Sequence, residues 1–107
     1  MATFGEFLRT ERNKKELNQT DFGQPFGIIM TDISKIENNH KKFPFEKLKQ
    51  LSKFLEIDYI ILKNLFVADK LVDEVYKYEC TDAVLSVAEN QLKYARNKNV
   101  KQGKLEI

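Results

Sequence analysis

For most of this chain the apolar positions fall three and four residues apart, the spacing of one helical face. Phe4, Phe7 and Leu8 share such a face, with Arg9, Arg12, Lys14 and Lys15 on its wetter sides, so a first helix is predicted there. Leu17 follows as a connector. Asn18 is a good N-cap, and Asp21 three residues on takes the place of a capping-box acid. A second helix should therefore run over residues 19–26, with Phe22 and Phe26 facing inward at i, i+4. Gly27 ends it, because glycine enters the left-handed conformation at lowest cost.

A third helix is predicted over residues 30–38, with Ile33 and Ile36 inward and Asn38-Asn39 breaking it. A short basic loop covers residues 40–44. Residues 45–55 read as a fourth helix, with Leu48, Leu51 and Leu55 on the core face and Phe54 beside them. Asp58 caps a fifth, which contains Ile60, Ile61, Leu62, Leu65 and Phe66. Ala68, Leu71, Val72, Val75 and Tyr76 then repeat in the pattern of a further amphipathic helix. Cys80 and Thr81 interrupt, and Thr81 or Asp82 can cap a last helix. That helix has Leu85, Ala88, Leu92 and Ala95 on one stripe, with Val84 and Val87 beside it. From about Asn97 a basic frayed tail is expected. The fold class is all-α: five short helices and then two amphipathic ones.

Composition narrows the function classes. The chain has 107 residues, 42% hydrophobic and 32% charged, about one domain and neither a disordered tail nor a membrane protein. No run of ~18 apolar residues is present, and charges from Glu6 onward leave no apolar signal-peptide core. One cysteine, Cys80, has no partner for an internal disulfide, which points to the cytoplasm. A lone Cys80 and a lone His40 exclude a His/Cys zinc cluster, and no other metal or cofactor is implied. No Ser/His/Asp set, phosphate-cradling glycine loop or paired carboxylate stands out, so no catalytic residue is assigned and an enzyme is not expected.

Formal net charge is only +2, but it is zoned. Residues 35–53 carry six basic against two acidic side chains, net +4; residues 69–89 carry two against six, net −4. Residues 93–104 hold five basic side chains and no acid. Such zoning fits a phosphate-facing surface or a solvated helical face alike.

The informative stretch is residues 18–39, NQTDFGQPFGIIMTDISKIENN. It offers a capped helix, a small residue at Gly23, a turn glycine at Gly27 and a second helix with Ile33 and Ile36 inward. A helix-turn-helix needs these features: close crossing requires a small side chain at the contact, and the turn requires one residue with positive φ. With Gly5 and Arg12 before it, the run Ile33-Ser34-Lys35-Ile36-Glu37-Asn38-Asn39 within it, and Pro44, Leu48, Leu51, Leu55 and Ile57 after it, residues 4–66 resemble the Xre/Cro family. These are the phage-repressor-like helix-turn-helix regulators.

The resemblance implies a five-helix lambda-repressor-like DNA-binding domain over residues 1–66, and a role for each matching position. Met30, Thr31 and Lys35 fall in slots that face base edges: Lys35 can donate to guanine O6/N7, and Met30 or the Thr31 methyl can touch a thymine methyl. Gln19, Asn38, Lys41 and Lys42 fall where the family holds the DNA backbone. Arg12 and Glu37 take the places of a pair that often closes as an ion pair, a structural role.

Four residues depart from the pattern. Pro25 sits inside the second helix, where it removes a hydrogen bond and favours a kink or an early end. Ile29 stands where Ser or Thr usually caps the recognition helix, leaving Thr31 to cap a shorter one. Asp32 puts a negative charge on a helix that should approach phosphates, and Glu16 replaces a usual glycine.

Residues 67–107 form a C-terminal helical extension with enough apolar surface for a homodimer, or only enough to cover their own core. The expected partners are double-stranded DNA and a second copy, with no membrane. The function expected is a sequence-specific transcriptional regulator binding a palindrome as a dimer, a repressor or a restriction-modification or mobile-element controller. The alternative is a protein-interaction module of antitoxin or adaptor type, meeting its partner through the apolar edge Ile28-Ile29-Met30.

Overall fold

The computed structural model describes residues 3–101, with side chains to residue 98. Every regular element among them is helical: α1 (Phe4–Lys14), α2 (Gln19–Gly23), a 3-10 turn (Gln24–Phe26), α3 (Met30–Glu37), a second 3-10 turn (Phe45–Lys47), α4 (Leu48–Leu55), α5 (Tyr59–Lys77) and α6 (Ala83–Lys101). The chain divides into two compact units, one running through Lys70 and the other beginning at Leu71.

α1 starts on a capping box that the apolar pattern does not reveal. Thr3 Oγ1 accepts from the Glu6 amide at 3.1 Å and Glu6 Oε1 accepts from the Thr3 amide at 3.0 Å, so two orphan donors of the first turn are satisfied reciprocally. Past its end, Glu16 adopts φ +56°. That is the left-handed conformation in which a β-carbon is crowded and which glycine adopts at lowest cost.

The second helix is shorter than the predicted 19–26. Asn18 caps it as expected, its side chain accepting from the Asp21 amide at 2.7 Å, but α2 ends at Gly23 and Gln24–Phe26 tighten into a 3-10 turn around Pro25. Proline has no N–H to donate back to Asp21, so the i→i−4 ladder cannot continue. Phe26 is still buried, and Gly27 at φ +66° then turns the chain towards α3.

The predicted fourth helix likewise opens as the 3-10 turn Phe45–Lys47, with Phe45 half exposed, before α4 begins. Asp58 caps α5 as expected, accepting from the Ile60 amide at 2.7 Å. The expected break between a fifth and a sixth helix is absent: no glycine or proline lies between Tyr59 and Lys77, and Asn64, Asp69 and Asp73 sit within the helix without ending it. The expected fraying from Asn97 is also absent through Lys101. Glu89 four residues before Lys93, and Arg96 and Lys98 near the negative end of the helix dipole, favour continuation. Residues 102–107 of the expected tail lie outside the described residues.

Unit 1 is organised around phenylalanine. All eight phenylalanines of the chain precede residue 67. Phe22, Phe26 and Phe54 meet edge to face with centroids 5.5–5.9 Å apart, Phe26 meets Phe43 at 5.7 Å, and Phe4 meets Phe66 at 5.5 Å. Such pairs contribute beyond their burial because ring edges and faces carry opposite partial charge. With Leu8, Ile33, Leu48, Leu51 and Leu62, they join α1, α3, α4 and the start of α5 into one core.

Unit 2 has no such core. Among the described side chains from 71 to 98 none is buried, and only Val75 and Val84 are half-buried. No helix among the described residues is long and apolar enough to cross a membrane.

Candidate nucleic-acid interface

α3 is fixed on its inner side and open on its outer side. Ile33 and Ile36 are buried on one stripe. Close approach of α2 is possible because Gly23 lacks a side chain: a β-carbon there would run into the Ile28 carbonyl and lie 2.9 Å from Ile33 Cγ1. Gly5 does the same for α1, since a β-carbon on it would collide with the Ile36 carbonyl and come within 2.8 Å of Asn39 Oδ1. The three helices therefore pack nearly backbone to backbone around α3.

An ionic clamp closes the C-terminal end of α3. Glu37 is 1% exposed and accepts from Arg12 through both oxygens, Nε at 2.7 Å and Nη2 at 3.1 Å. Gln19 Nε2 donates to the same carboxylate at 3.1 Å, and Arg9 Nε approaches it at 3.5 Å. Arg12 Nη1 also donates to the Leu17 carbonyl at 2.8 Å. One residue of α3 thus ties α1 to the start of α2, and Arg12 extends the tie to the connector. Burial pushes the Glu37 carboxyl upward, but hydrogen bonds from Arg12 and Gln19 and the charges of Arg12 and Arg9 outweigh it, and the pKa is held below its ordinary 4.5.

A pH dependence follows from that depression. The unfolded chain takes up the Glu37 proton more readily than the folded one, so this group's share of stability is fully present above pH 4.5 and is lost as pH falls through the folded pKa. In urea melts, the stability advantage of the native chain over Glu37→Gln is expected to shrink steadily below pH 4.5.

The outer side of α3 is apolar at its start. Ile29 is the N-cap residue and makes no side-chain capping bond; Thr31 does not cap a shorter helix, since α3 begins at Met30. Ile29 and Met30 are 67% and 53% exposed and form, with Thr20, Gln24, Gly27 and Ile28, the wall of an open groove. Ile28 is half-buried and packs on the core. Thr31 and Lys35 are exposed and, four residues apart, stack one turn above the other. Met30, Thr31 and Lys35 are thus brought together on one solvent-facing surface.

The residues expected to hold the DNA backbone are all engaged within the protein. Gln19 belongs to the Glu37 clamp, leaving its second amide hydrogen. Asn38 accepts from Arg9 Nη2 at 2.7 Å and donates to the Ser34 carbonyl at 2.9 Å. Lys41 pairs with Asp32 at 3.1 Å, and Lys42 approaches Asp69 at 3.7 Å. Asp69 also accepts from the Phe4 amide at 3.2 Å. The Asp32 charge is therefore partly offset by Lys41. Sequence reasoning missed Arg9, and it missed Lys47, whose ammonium donates to the Phe26 carbonyl and braces the turn before α3. The basic count over 35–53 is the one signal for Lys47, and no local pattern points to its partner.

No family model matches this chain, and neither a curated protein nor a solved structure matches it.

Proposed function

We propose that the chain is a sequence-specific, double-stranded DNA-binding transcriptional regulator with a lambda-repressor-like helix-turn-helix domain of the Xre/Cro kind. The observation that carries the reading is the α2–α3 pair: packed nearly backbone to backbone at Gly23, with Met30, Thr31 and Lys35 presented together on the open side of α3. A short helix held this way fits a major groove about 12 Å wide. Lys35 donates to guanine O6/N7, while Met30 and the Thr31 methyl group meet thymine methyls. Gln19, with its second amide hydrogen, and Asn38 and Lys42 turn to the DNA backbone and set register, while Lys41 is held by Asp32. The Glu37 clamp holds the helix that reads.

Two copies acting on a palindrome follow from unit 2, whose apolar side chains Leu71, Val72, Tyr76, Leu85 and Leu92 are exposed. Apolar side chains exposed together in this way mark an interaction surface. Sedimentation equilibrium of the full chain should give a dimer. The regulator acts as a repressor or as a controller of a restriction-modification or mobile element.

Selection from a pool of random duplexes tests the reading: it should enrich a two-fold symmetric site with half-sites about 34 Å, one helical turn, apart. Failure to enrich any sequence would overturn it. On the enriched site Lys35→Ala should cost about 1–3 kcal/mol and relax preference at one base pair per half-site, read by competition with point-substituted duplexes. Asp32→Asn should do the reverse without changing preference. Freed from its acid, Lys41 becomes available to phosphate, and the salt dependence should steepen by about one counterion per chain.

The exposed Ile29–Met30 edge and its groove favour a second reading, a protein-interaction module. Binding by that edge would change little with salt, whereas DNA binding weakens steeply.

A further inference from the structure

The C-terminal helix carries a stripe that is complementary to itself in only one orientation. Leu85, Ala88, Leu92 and Ala95 follow at intervals of three, four and three, and all four are exposed. In the antiparallel arrangement with a two-fold axis level with residue 90, Leu85 meets Ala95 of a second copy and Ala88 meets Leu92. Every layer then pairs one large side chain with one small one, which fills space evenly. A parallel pair would set Leu on Leu and Ala on Ala, alternating crowding with gaps.

The groove beside this stripe fits the same partner. Leu71 and Val75 from the end of α5, Tyr78 just past it, and Leu85 and Ala88 from α6 line an open groove of about 170 Å³. An antiparallel second copy lays its own Leu92 and Ala95 there. Charge agrees with shape. The half of α6 that would enter the groove carries Lys93, Arg96 and Lys98, while the receiving end carries Glu74, Glu79 and Asp82. Each copy thus offers an acidic end to the other's basic end, twice. A parallel pair would oppose acid to acid and base to base. Glu89, nearest the axis, approaches its own copy, but Lys93 four residues on in the same helix offsets that charge.

We infer that α6 is an antiparallel, isologous dimerisation helix, with a second copy of this chain as its occupant and Ala88 packed against Leu92 across the axis. The inference rests on the dimeric reading above and adds the surface, orientation and register.

Single cysteines in a Cys80→Ser background test it. All the positions involved are exposed, so folding should be unaffected. A mixture of Ala88→Cys and Leu92→Cys chains, mildly oxidised, should give an 88–92 cross-linked dimer, visible without reductant. Either variant alone should give little, because equal positions lie about 6 Å apart along the axes in addition to their lateral separation. Efficient cross-linking of Ala88→Cys with itself would overturn the antiparallel register. A sedimentation dimer that forms no 88–92 cross-link would place the interface elsewhere and overturn the inference while leaving the dimer intact. A monomer at all concentrations would overturn the dimer itself, and DNA enrichment would still report separately on α3.

Discussion

Replacing Glu37 by alanine should cost about 3–5 kcal/mol of folding stability, the largest loss expected from any single substitution in α3. The carboxylate is buried and takes hydrogen bonds from Arg12 and Gln19. Removing it leaves the Arg12 guanidinium, only 13% exposed, facing a cavity with its positive charge unpaired. A buried charge without a counter-charge is far more costly than an absent pair. The double substitution Arg12→Met with Glu37→Leu should therefore recover most of the loss, because both charges leave together and apolar volume replaces them. Chemical denaturation of the three chains measures this. A single variant within 1 kcal/mol of the native chain would mean that Arg12 finds water or another acid.

The second large effect is expected at Gly23. On helix propensity alone, Gly23→Ala should gain up to about 1 kcal/mol. The structure reverses the sign. A β-carbon at this position has nowhere to go between the Ile28 carbonyl, which is backbone, and Ile33 Cγ1, so α2 and α3 must separate. Overpacking of this kind typically costs 1–3 kcal/mol. It also shifts Met30, Thr31 and Lys35 relative to the rest of unit 1. Thermal melts should show a lower midpoint for Gly23→Ala, and an unchanged or raised midpoint would contradict the close packing of α2 on α3.

Helix starts and stops were legible where a single residue decides them. Asn18, Gly27 and Asp58 act as their side chains or backbone freedom dictate, and Pro25 ends α2 for the reason proline ends helices. Ile29 leaves α3 without a side-chain cap, as isoleucine must. The core faces of Leu48, Leu51, Leu55, Ile33 and Ile36 follow from spacing alone. Lengths were less legible. α5 runs through a stretch where two helices were expected, because a shift in the apolar stripe looks like a boundary when no breaker is present. Least legible were the partners of long polar side chains. Arg9 and Gln19 reach Asn38 and Glu37 at the end of α3 across 29 and 18 residues of sequence, and Lys47 reaches back 21 residues to Phe26. Such choices depend on where the backbone brings flexible side chains, which no local pattern encodes.

The clamp and the exposed face of α3 are two halves of one arrangement. Glu37 and the glycine contacts hold α3 against unit 1, so that Met30, Thr31 and Lys35 have a fixed geometry before any ligand arrives. Preorganisation of this kind saves ordering cost on binding. Pairing Asp32 with Lys41 keeps an acidic residue on the surface with much of its charge offset, an exposed contact worth little to stability.

Whether α3 reads DNA is decided by fluorescence titration of the full chain against the duplex upstream of its own gene and a scrambled duplex, at 50 and 200 mM salt. A DNA-reading α3 should give tighter binding to the upstream duplex and a loss of roughly 100-fold or more at the higher salt, since several phosphate contacts release counterions. Absence of binding to either duplex at 50 mM salt would contradict it.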